Sequence, residues 1–151
     1  MSETHAERSV ARLAAVQALY QMEVAGASTA DVIADFKSGK LPRETEASIT
    51  ESEGDLDHFT SVVDGVVARQ NTIDRAIAKR LSKGWRLERI DAVARAILRA
   101  GAMELEQRAD IPAPVVIDEY VEIAKRFFDG PEPGFVNATL DACAKDLRPA
   151  A

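Results

Sequence analysis

The sequence predicts an all-helical protein of about six or seven helices, on the evidence of its composition and its periodicity. Hydrophobic residues make up 46% of the 151 residues, but aromatic residues make up only 5%. Ala, Val, Leu and Ile dominate the apolar set, whereas sheet proteins are richer in aromatic and β-branched residues. Apolar residues recur at helical intervals along most of the chain, and no segment alternates apolar and polar residues as a strand would. Both observations favour helices.

Two helices are predicted in the first part of the chain. Thr4 and Glu7 have the spacing of a capping box, and the apolar stripe that follows continues until Gly26 ends the first helix. Ser28 or Thr29 can cap a second, shorter helix. Residues 37–57 are then poor in apolar side chains and rich in acidic ones, which predicts an exposed connection.

The remaining helices are predicted over about residues 57–81, 87–106, 110–129 and 135–147. The first of these segments is either one long helix or two helices joined near Asn71. Gly84 and Trp85 break the apolar stripe before the next segment, which has the strongest amphipathic pattern in the chain. Pro112 and Pro114 are compatible with the first turn of the third segment.

Charge and hydropathy exclude several classes of protein. A net charge of −6 argues against a protein that coats nucleic acid without specificity, because such binding requires the neutralisation of many phosphates. Any nucleic-acid site must therefore be local. No apolar run approaches the ~18 residues needed to cross a bilayer, and the N-terminus does not resemble a signal peptide. We therefore expect a cytoplasmic protein that does not enter membranes.

The residues that carry most enzyme chemistry are sparse. His5 and His58 are the only histidines, and neither has a Cys or another His at metal-ligand spacing. Carboxylates such as Glu119 and Glu122 lie on predicted solvent faces, and no glycine-rich phosphate loop is present. Cys143 is the only cysteine, and its place in an apolar helical pattern is typical of a small core residue. The sequence therefore predicts no catalytic residue, no cofactor, no metal and hence no enzyme.

Basic residues concentrate in the middle of this acidic chain. Between residues 69 and 99 the cations are Arg69, Arg75, Lys79, Arg80, Lys83, Arg86, Arg89, Arg95 and Arg99. They form either a basic surface or a set of pairs with helix carboxylates. Arg8 and Arg12 lie four residues apart on the first helix, where two guanidinium groups on one face could hold phosphates or stack on bases.

Short motifs in a fixed order along the chain resemble those of the NusB family. They lie at residues 15–20 (AVQALY), 97–99 (ILR), 104–105 (EL), 111–112 (IP), 116–125 (VIDEYVEIAK), 135–137 (FVN) and 140–141 (LD). The resemblance implies an all-α fold of two small packed helical bundles. It implies a single RNA-binding domain, with an N-terminal half over about residues 1–83 and a C-terminal half over about 84–148.

The resemblance also implies a transcription antitermination factor. Such a factor binds single-stranded boxA RNA of ribosomal RNA leader transcripts together with NusE, a small-subunit ribosomal protein, in the RNA polymerase antitermination complex. The implied RNA-binding residues are Arg8, Arg12, Tyr20, Phe127, Phe135 and Asn137. The aromatic rings can stack on unpaired bases, and the Asn137 amide can form hydrogen bonds with base edges. Core packing is the alternative role for the three aromatic residues, and a local backbone hydrogen bond is the alternative for Asn137.

The chain departs from the family pattern at two places. Ser9 and Val10 fall where the family often continues an arginine run, and Gly134 stands where a Lys commonly precedes the Phe-Val-Asn motif. Fewer cations predict weaker RNA binding by the chain alone and a shallower dependence on salt. We therefore expect NusE to increase the affinity strongly, and we place its site in the segment between Arg69 and Arg99.

Two other functions are compatible with the sequence. One is an RNA-binding module like the N-terminal domain of ribosomal-RNA cytosine methyltransferases, and the other is a helical scaffold that binds a protein and no RNA. A scaffold predicts that Arg8 and Arg12 can be replaced by Glu with no change in RNA affinity. Both a monomer and a homodimer formed through the RNA-binding face are compatible with the sequence.

Overall fold

A computed structural model describes residues 2–43, 54–82 and 84–149 of the chain, so most of the predicted acidic connection lies outside the described residues. The helices are α1 (Ser2–Ala25), α2 (Thr29–Lys37), α3 (Leu56–Arg80), α4 (Ala92–Gln107), α5 (Ala113–Phe127) and α6 (Glu132–Leu147). No strand occurs within those ranges, and the all-helical prediction is confirmed. Among the described helices, none combines the length and the apolar character that crossing a membrane requires.

The starts of the helices follow the predicted capping signals only in part. Ser28 caps α2: its hydroxyl accepts from the Asp31 N–H at 3.0 Å, and the Asp31 carboxylate accepts from the Ser28 N–H at 3.1 Å. By contrast, α1 begins at Ser2, so Thr4 lies inside the helix and is not its N-cap. The helix predicted from residue 87 begins instead at residue 92, because the Asp91 carboxylate caps it and a separate 3₁₀ turn, Leu87–Arg89, precedes it.

Helix α3 consists of two helical segments joined at a kink, and the kink lies two residues before the predicted junction at Asn71. Arg69 has non-helical dihedral angles, with φ −123° and ψ 24°. The chain divides into two compact units, Met1–Asp64 and Gly65–Ala151, so the division falls within α3 and not near residue 83. The reason is that the second part of α3 belongs to the C-terminal unit, where Asp74 accepts two hydrogen bonds from Arg99 at 2.8 and 2.9 Å.

The N-terminal unit is built around the first half of α1. Every residue from 10 to 16 is buried, which means that this part of the helix has no solvent face. Helix α2 packs against α1, and the Phe36 ring stacks on Phe59 at the start of α3, with 4.3 Å between the ring centroids. Asp55 precedes α3 and caps it by accepting from the His58 N–H at 2.9 Å.

The C-terminal unit is a cluster in which α4, α5 and α6 all pack against one another. Gly101 permits the close approach of α4 to α6, because a Cβ there would lie 2.8 Å from a methyl carbon of Leu140. Arg148 follows α6 and donates to the carbonyls of Leu105 and Glu104 at the end of α4, at 2.8 and 3.1 Å. The bond to Leu105 satisfies a carbonyl group in the last turn of α4, where a helix leaves such groups without backbone partners, whereas the Glu104 carbonyl also accepts from the Arg108 N–H at 2.9 Å.

Cys143 is a core residue of this unit. Its thiol lies 3.7 Å from the Ala76 carbonyl oxygen, and burial raises its pKa to about 11. A thiol that remains protonated at neutral pH is a weak nucleophile, since the thiolate is the reactive form. The surroundings of Cys143 therefore suit the predicted packing role.

Candidate nucleic-acid interface

The predicted RNA-binding residues fall on both units of the protein. Arg8, Arg12 and Tyr20 lie on α1 in the N-terminal unit. Phe127 ends α5, and Phe135 and Asn137 lie in the first two turns of α6, in the C-terminal unit.

Arg8 is held at the surface of the N-terminal unit by the segment that precedes α3. The Arg8 side chain is 32% exposed, and its Nε lies 3.9 Å from the Asp55 carboxylate. Asp55 is itself fixed to α1, because its N–H donates to the Glu7 carbonyl at 3.0 Å. A partly exposed ion pair of this length contributes little to stability, so a phosphate can compete for the Arg8 guanidinium.

Arg12 has a different environment, although it lies only one turn further along α1. Its side chain is 1% exposed and is flanked in sequence by the buried residues Ala11 and Leu13. An arginine remains charged at any ordinary pH, so burial on this scale requires compensating contacts. The sequence did contain a signal for this, since Arg12 interrupts an otherwise apolar run from Val10 to Val16. Direct RNA contact by Arg12 stays a prediction, and its burial favours a packing role.

Tyr20 is exposed over 37% of its surface, and the loop after α2 brings a cation, Arg43, to the α1 residues Gln17 and Gln21. The Arg43 N–H donates to the Gln17 side-chain oxygen at 2.7 Å. With the Gln21 amide oriented so that its oxygen faces Arg43, that oxygen accepts from the guanidinium at 2.8 and 3.1 Å. Arg43 therefore adds a positive charge to the α1 surface. Sequence reasoning missed Arg43, because nothing local shows that the loop returns to α1.

The second group of predicted residues surrounds the junction between α5 and α6. Phe127 and Phe135 are half-buried, and Asn137 is exposed. The Phe135 ring contacts the ring of Trp85, with 5.7 Å between their centroids and 38° between their planes. Trp85 was predicted only to break a helix, so its place beside a candidate RNA-binding residue is a feature that sequence reasoning missed.

Several cations of the segment between residues 69 and 99 are occupied by contacts within the C-terminal unit. Arg69 bonds to Glu106 and Arg80 bonds to Asp146, while the Arg95 guanidinium donates to backbone carbonyls that include that of Leu87, at 3.0 Å. Hydrogen bonding to the arginines lowers the pKa of both the Glu106 and Asp146 carboxyls. Arg69 and Arg80 therefore follow the second of the two predictions, pairing with helix carboxylates, whereas Arg95 donates to backbone carbonyls. Other cations in the segment are exposed, namely Arg75, Lys79, Arg86 and Arg89.

The described residues offer no group of three or more His, Cys, Asp or Glu side chains that could hold a metal ion. The chemistry that the surface does offer is cationic and aromatic. Guanidinium groups bind phosphates, and exposed aromatic rings stack on bases. The exposed amide of Asn137 can hydrogen-bond to base edges. This combination is typical of proteins that bind single-stranded RNA.

Comparisons with known proteins identify the family of the chain. The sequence model of the NusB family matches residues 9–145. The chain is 57% identical over 141 residues to the transcription antitermination protein NusB of Caulobacter vibrioides, covering 93% of this chain and 94% of that protein. It is 51% identical to the NusB of Maricaulis maris, covering 94% of this chain and 88% of that protein.

Two solved structures have the same fold. The NusB of T. maritima superposes with a TM-score of 0.74 at 31% identity, covering 94% of this chain and 93% of that one. The NusB in a crystal structure of the antitermination factors NusB and NusE with double-stranded RNA gives a TM-score of 0.76 at 25% identity, covering 97% of this chain and 99% of that one. Because the family model matches residues 9–145, which are most of its length, the chain belongs to the NusB family.

Proposed function

We propose that the chain is a transcription antitermination factor that binds single-stranded boxA RNA of ribosomal RNA leader transcripts together with NusE. In this role it promotes processive transcription of ribosomal RNA operons by RNA polymerase. Membership of the NusB family over nearly the whole chain carries the proposal, and the similarity to a NusB crystallised with NusE and RNA supports it. The function is one of binding and not of catalysis, and it belongs in the bacterial cytoplasm, where transcripts are made.

Exposure decides how we divide the six candidate residues between direct and indirect roles. Arg8, Tyr20, Phe127, Phe135 and Asn137 all have solvent-accessible side chains, so we assign them to direct RNA contact. The buried Arg12 supports the exposed residues of its own helix, Arg8 and Tyr20, by packing the start of α1.

An unpaired strand is the preferred RNA on physical grounds. The faces of paired bases are stacked inside a duplex, whereas unpaired bases can lie flat against aromatic rings. Tyr20 is exposed and Phe127 and Phe135 are half-buried, so all three rings have some surface for such contact. The preference is testable, because the related solved complex contains double-stranded RNA.

We place NusE on the exposed cations of α3 within the segment between Arg69 and Arg99. Arg75 and Lys79 are both exposed and lie four residues apart, so they share one helix face. Reversing both charges, Arg75→Glu with Lys79→Glu, is expected to abolish most of the gain in RNA affinity that NusE provides. The matched control is Lys125→Glu, an exposed cation on α5 that pairs with Glu122 at 3.0 Å.

The decisive experiment is RNA binding measured by fluorescence anisotropy at fixed salt. The probes are a boxA-like single strand, a scrambled strand and a boxA-like duplex, each with and without NusE. The proposal predicts that the chain prefers the boxA-like single strand and that NusE tightens this complex. Absent binding, or equal binding to all three RNAs with and without NusE, would contradict the proposal and favour a protein-binding scaffold.

A further inference from the structure

Trp85 is the most conspicuous aromatic side chain outside the predicted RNA-binding set. It is the only tryptophan in the chain, and 56% of its surface is exposed. Its ring contacts Phe135 at the start of α6. If Trp85 served only to cover Phe135, we would expect burial to be more complete, because the indole is the largest apolar surface available to any side chain.

The backbone on both sides of Trp85 is held in place. Gly84 has a φ of +93°, a conformation that suits glycine, and the Trp85 N–H donates to the Ser82 carbonyl at 3.0 Å. Two residues later, Leu87 is buried and fixes the following 3₁₀ turn to the core. Because the backbone is held on both sides of Trp85 and the ring contacts Phe135, the side chain has less conformational freedom to lose when a ligand binds.

The chemistry beside Trp85 suits a nucleotide. Arg86 is next in the chain and is 69% exposed, and its 3.9 Å pair with the equally exposed Glu88 is of a kind that contributes little. A phosphate can therefore compete for Arg86 while the adjacent base meets the indole. On the other side, Phe135 connects Trp85 to α6, which also carries the exposed Asn137.

We propose that Trp85 stacks on an unpaired base of the bound RNA and extends the RNA surface of the C-terminal unit beyond Phe135 and Asn137. Stacking on tryptophan is tolerant of sequence, because every base has a π face. Trp85 thus adds affinity for single strands, while base-edge contacts from residues such as Asn137 supply preference. This inference rests on the proposed RNA-binding function.

Because Trp85 is the sole tryptophan, intrinsic fluorescence reports on this ring alone. Titration of the wild-type chain with the boxA-like single strand is expected to quench tryptophan emission with the same midpoint as the anisotropy change. A strand with the same number of phosphates but abasic sites is expected to leave the emission nearly unchanged, because it offers charge without bases to stack.

Substitutions test the energetic contribution of Trp85. Trp85→Leu retains an apolar cover for Phe135 but removes the stacking surface, and it is expected to weaken single-strand binding about 5- to 100-fold. The dependence of affinity on salt should not change, because no phosphate contact is lost. Val115→Ala removes another exposed apolar side chain from the same unit and is the control that should leave RNA affinity unchanged.

The outcomes separate this inference from the function on which it rests. RNA binding detected by anisotropy, with unchanged tryptophan emission and wild-type affinity in Trp85→Leu, would overturn the stacking role and leave antitermination intact. Absence of RNA binding by the wild-type chain, with or without NusE, would overturn both. The wild-type titration needs no variant, so a folding defect in Trp85→Leu does not affect the test.

Discussion

The beginning of α1 and the beginning of α6 both carry residues that family resemblance assigns to RNA, but the two helices expose those residues differently. In α1, Arg12 is buried within a run that is buried from residue 10 to residue 16. In α6, the buried Val136 is followed directly by the exposed Asn137. A helix buried on all sides turns even an arginine into a core residue, whereas an amphipathic helix leaves its polar face available.

In this protein, residue type alone therefore does not locate an RNA contact. Arginine suits phosphate and nucleic-acid recognition, yet in this protein Arg12 is buried and Arg80 bonds to the Asp146 carboxylate. The aromatic residues Phe135 and Trp85, which composition would assign to a core, reach solvent.

Replacement of Arg12 should affect folding more than RNA binding. Arg12→Met is expected to lower the free energy of unfolding by about 3 kcal/mol, because it removes a buried charge and leaves the groups around it without compensation. Arg8→Met, at a partly exposed site one turn earlier, should cost less than about 1 kcal/mol. Urea denaturation measures both values. Equal stability of the two variants would show that Arg12 does not stabilise the core. Direct RNA contact would then be the favoured role of Arg12.

Replacement of Phe135 should affect RNA binding more than folding. Phe135→Leu keeps an apolar side chain at a half-buried site but removes the ring, and it is expected to weaken single-strand binding about 10-fold. Phe127→Leu should have a similar effect. The matched control is Phe128→Leu, the adjacent half-buried phenylalanine outside the proposed surface. If Phe128→Leu weakens binding as much as the other two, the assignment of the rings at this junction is wrong.

Arg8 and Arg80 should differ in their contribution to the salt dependence of RNA binding. Arg8→Gln is expected to weaken binding and to lower the slope of log affinity against log salt by about 1, as for one lost phosphate contact. Arg80→Gln should leave the slope unchanged in the absence of NusE, because Asp146 already holds that guanidinium. If the slope is unchanged in Arg8→Gln, Arg8 does not contact a phosphate of the bound RNA.

The smallest expected effect is on acid stability. The pKa values of the Glu106 and Asp146 carboxyls are lowered, chiefly by hydrogen bonds from Arg69 and Arg80. A carboxyl whose pKa is lower in the folded state stabilises the fold above its unfolded pKa and loses that contribution as the pH falls. The loss should therefore occur below about pH 4.5. In a variant with both Arg69→Gln and Arg80→Gln, the midpoint of urea unfolding should change less over this range than in the wild type, and an equally steep change would contradict the assignment.

Features with local signals were predictable. The six helices of the described residues follow from apolar periodicity, and the cap at Ser28 follows from residue type. The capping-box spacing of Thr4 and Glu7, by contrast, does not mark the start of α1. The kink in α3 was predicted only approximately, because Arg69 is marked by no proline or glycine. The position of Arg43 against Gln21 was not predictable, because it depends on the path of a loop and not on the residues beside it.

The sequence by itself therefore determined the helical class, most helix positions and, through its ordered motifs, the NusB family. Only the tertiary structure decided which charged and aromatic side chains hold the fold and which face solvent. The physical reason is the range of the interactions involved. Helical periodicity and capping act within one or two turns, whereas the pair between Arg80 and Asp146 joins residues 66 positions apart. The contact between Trp85 and Phe135 likewise joins a loop to a later helix, and such contacts leave no local pattern.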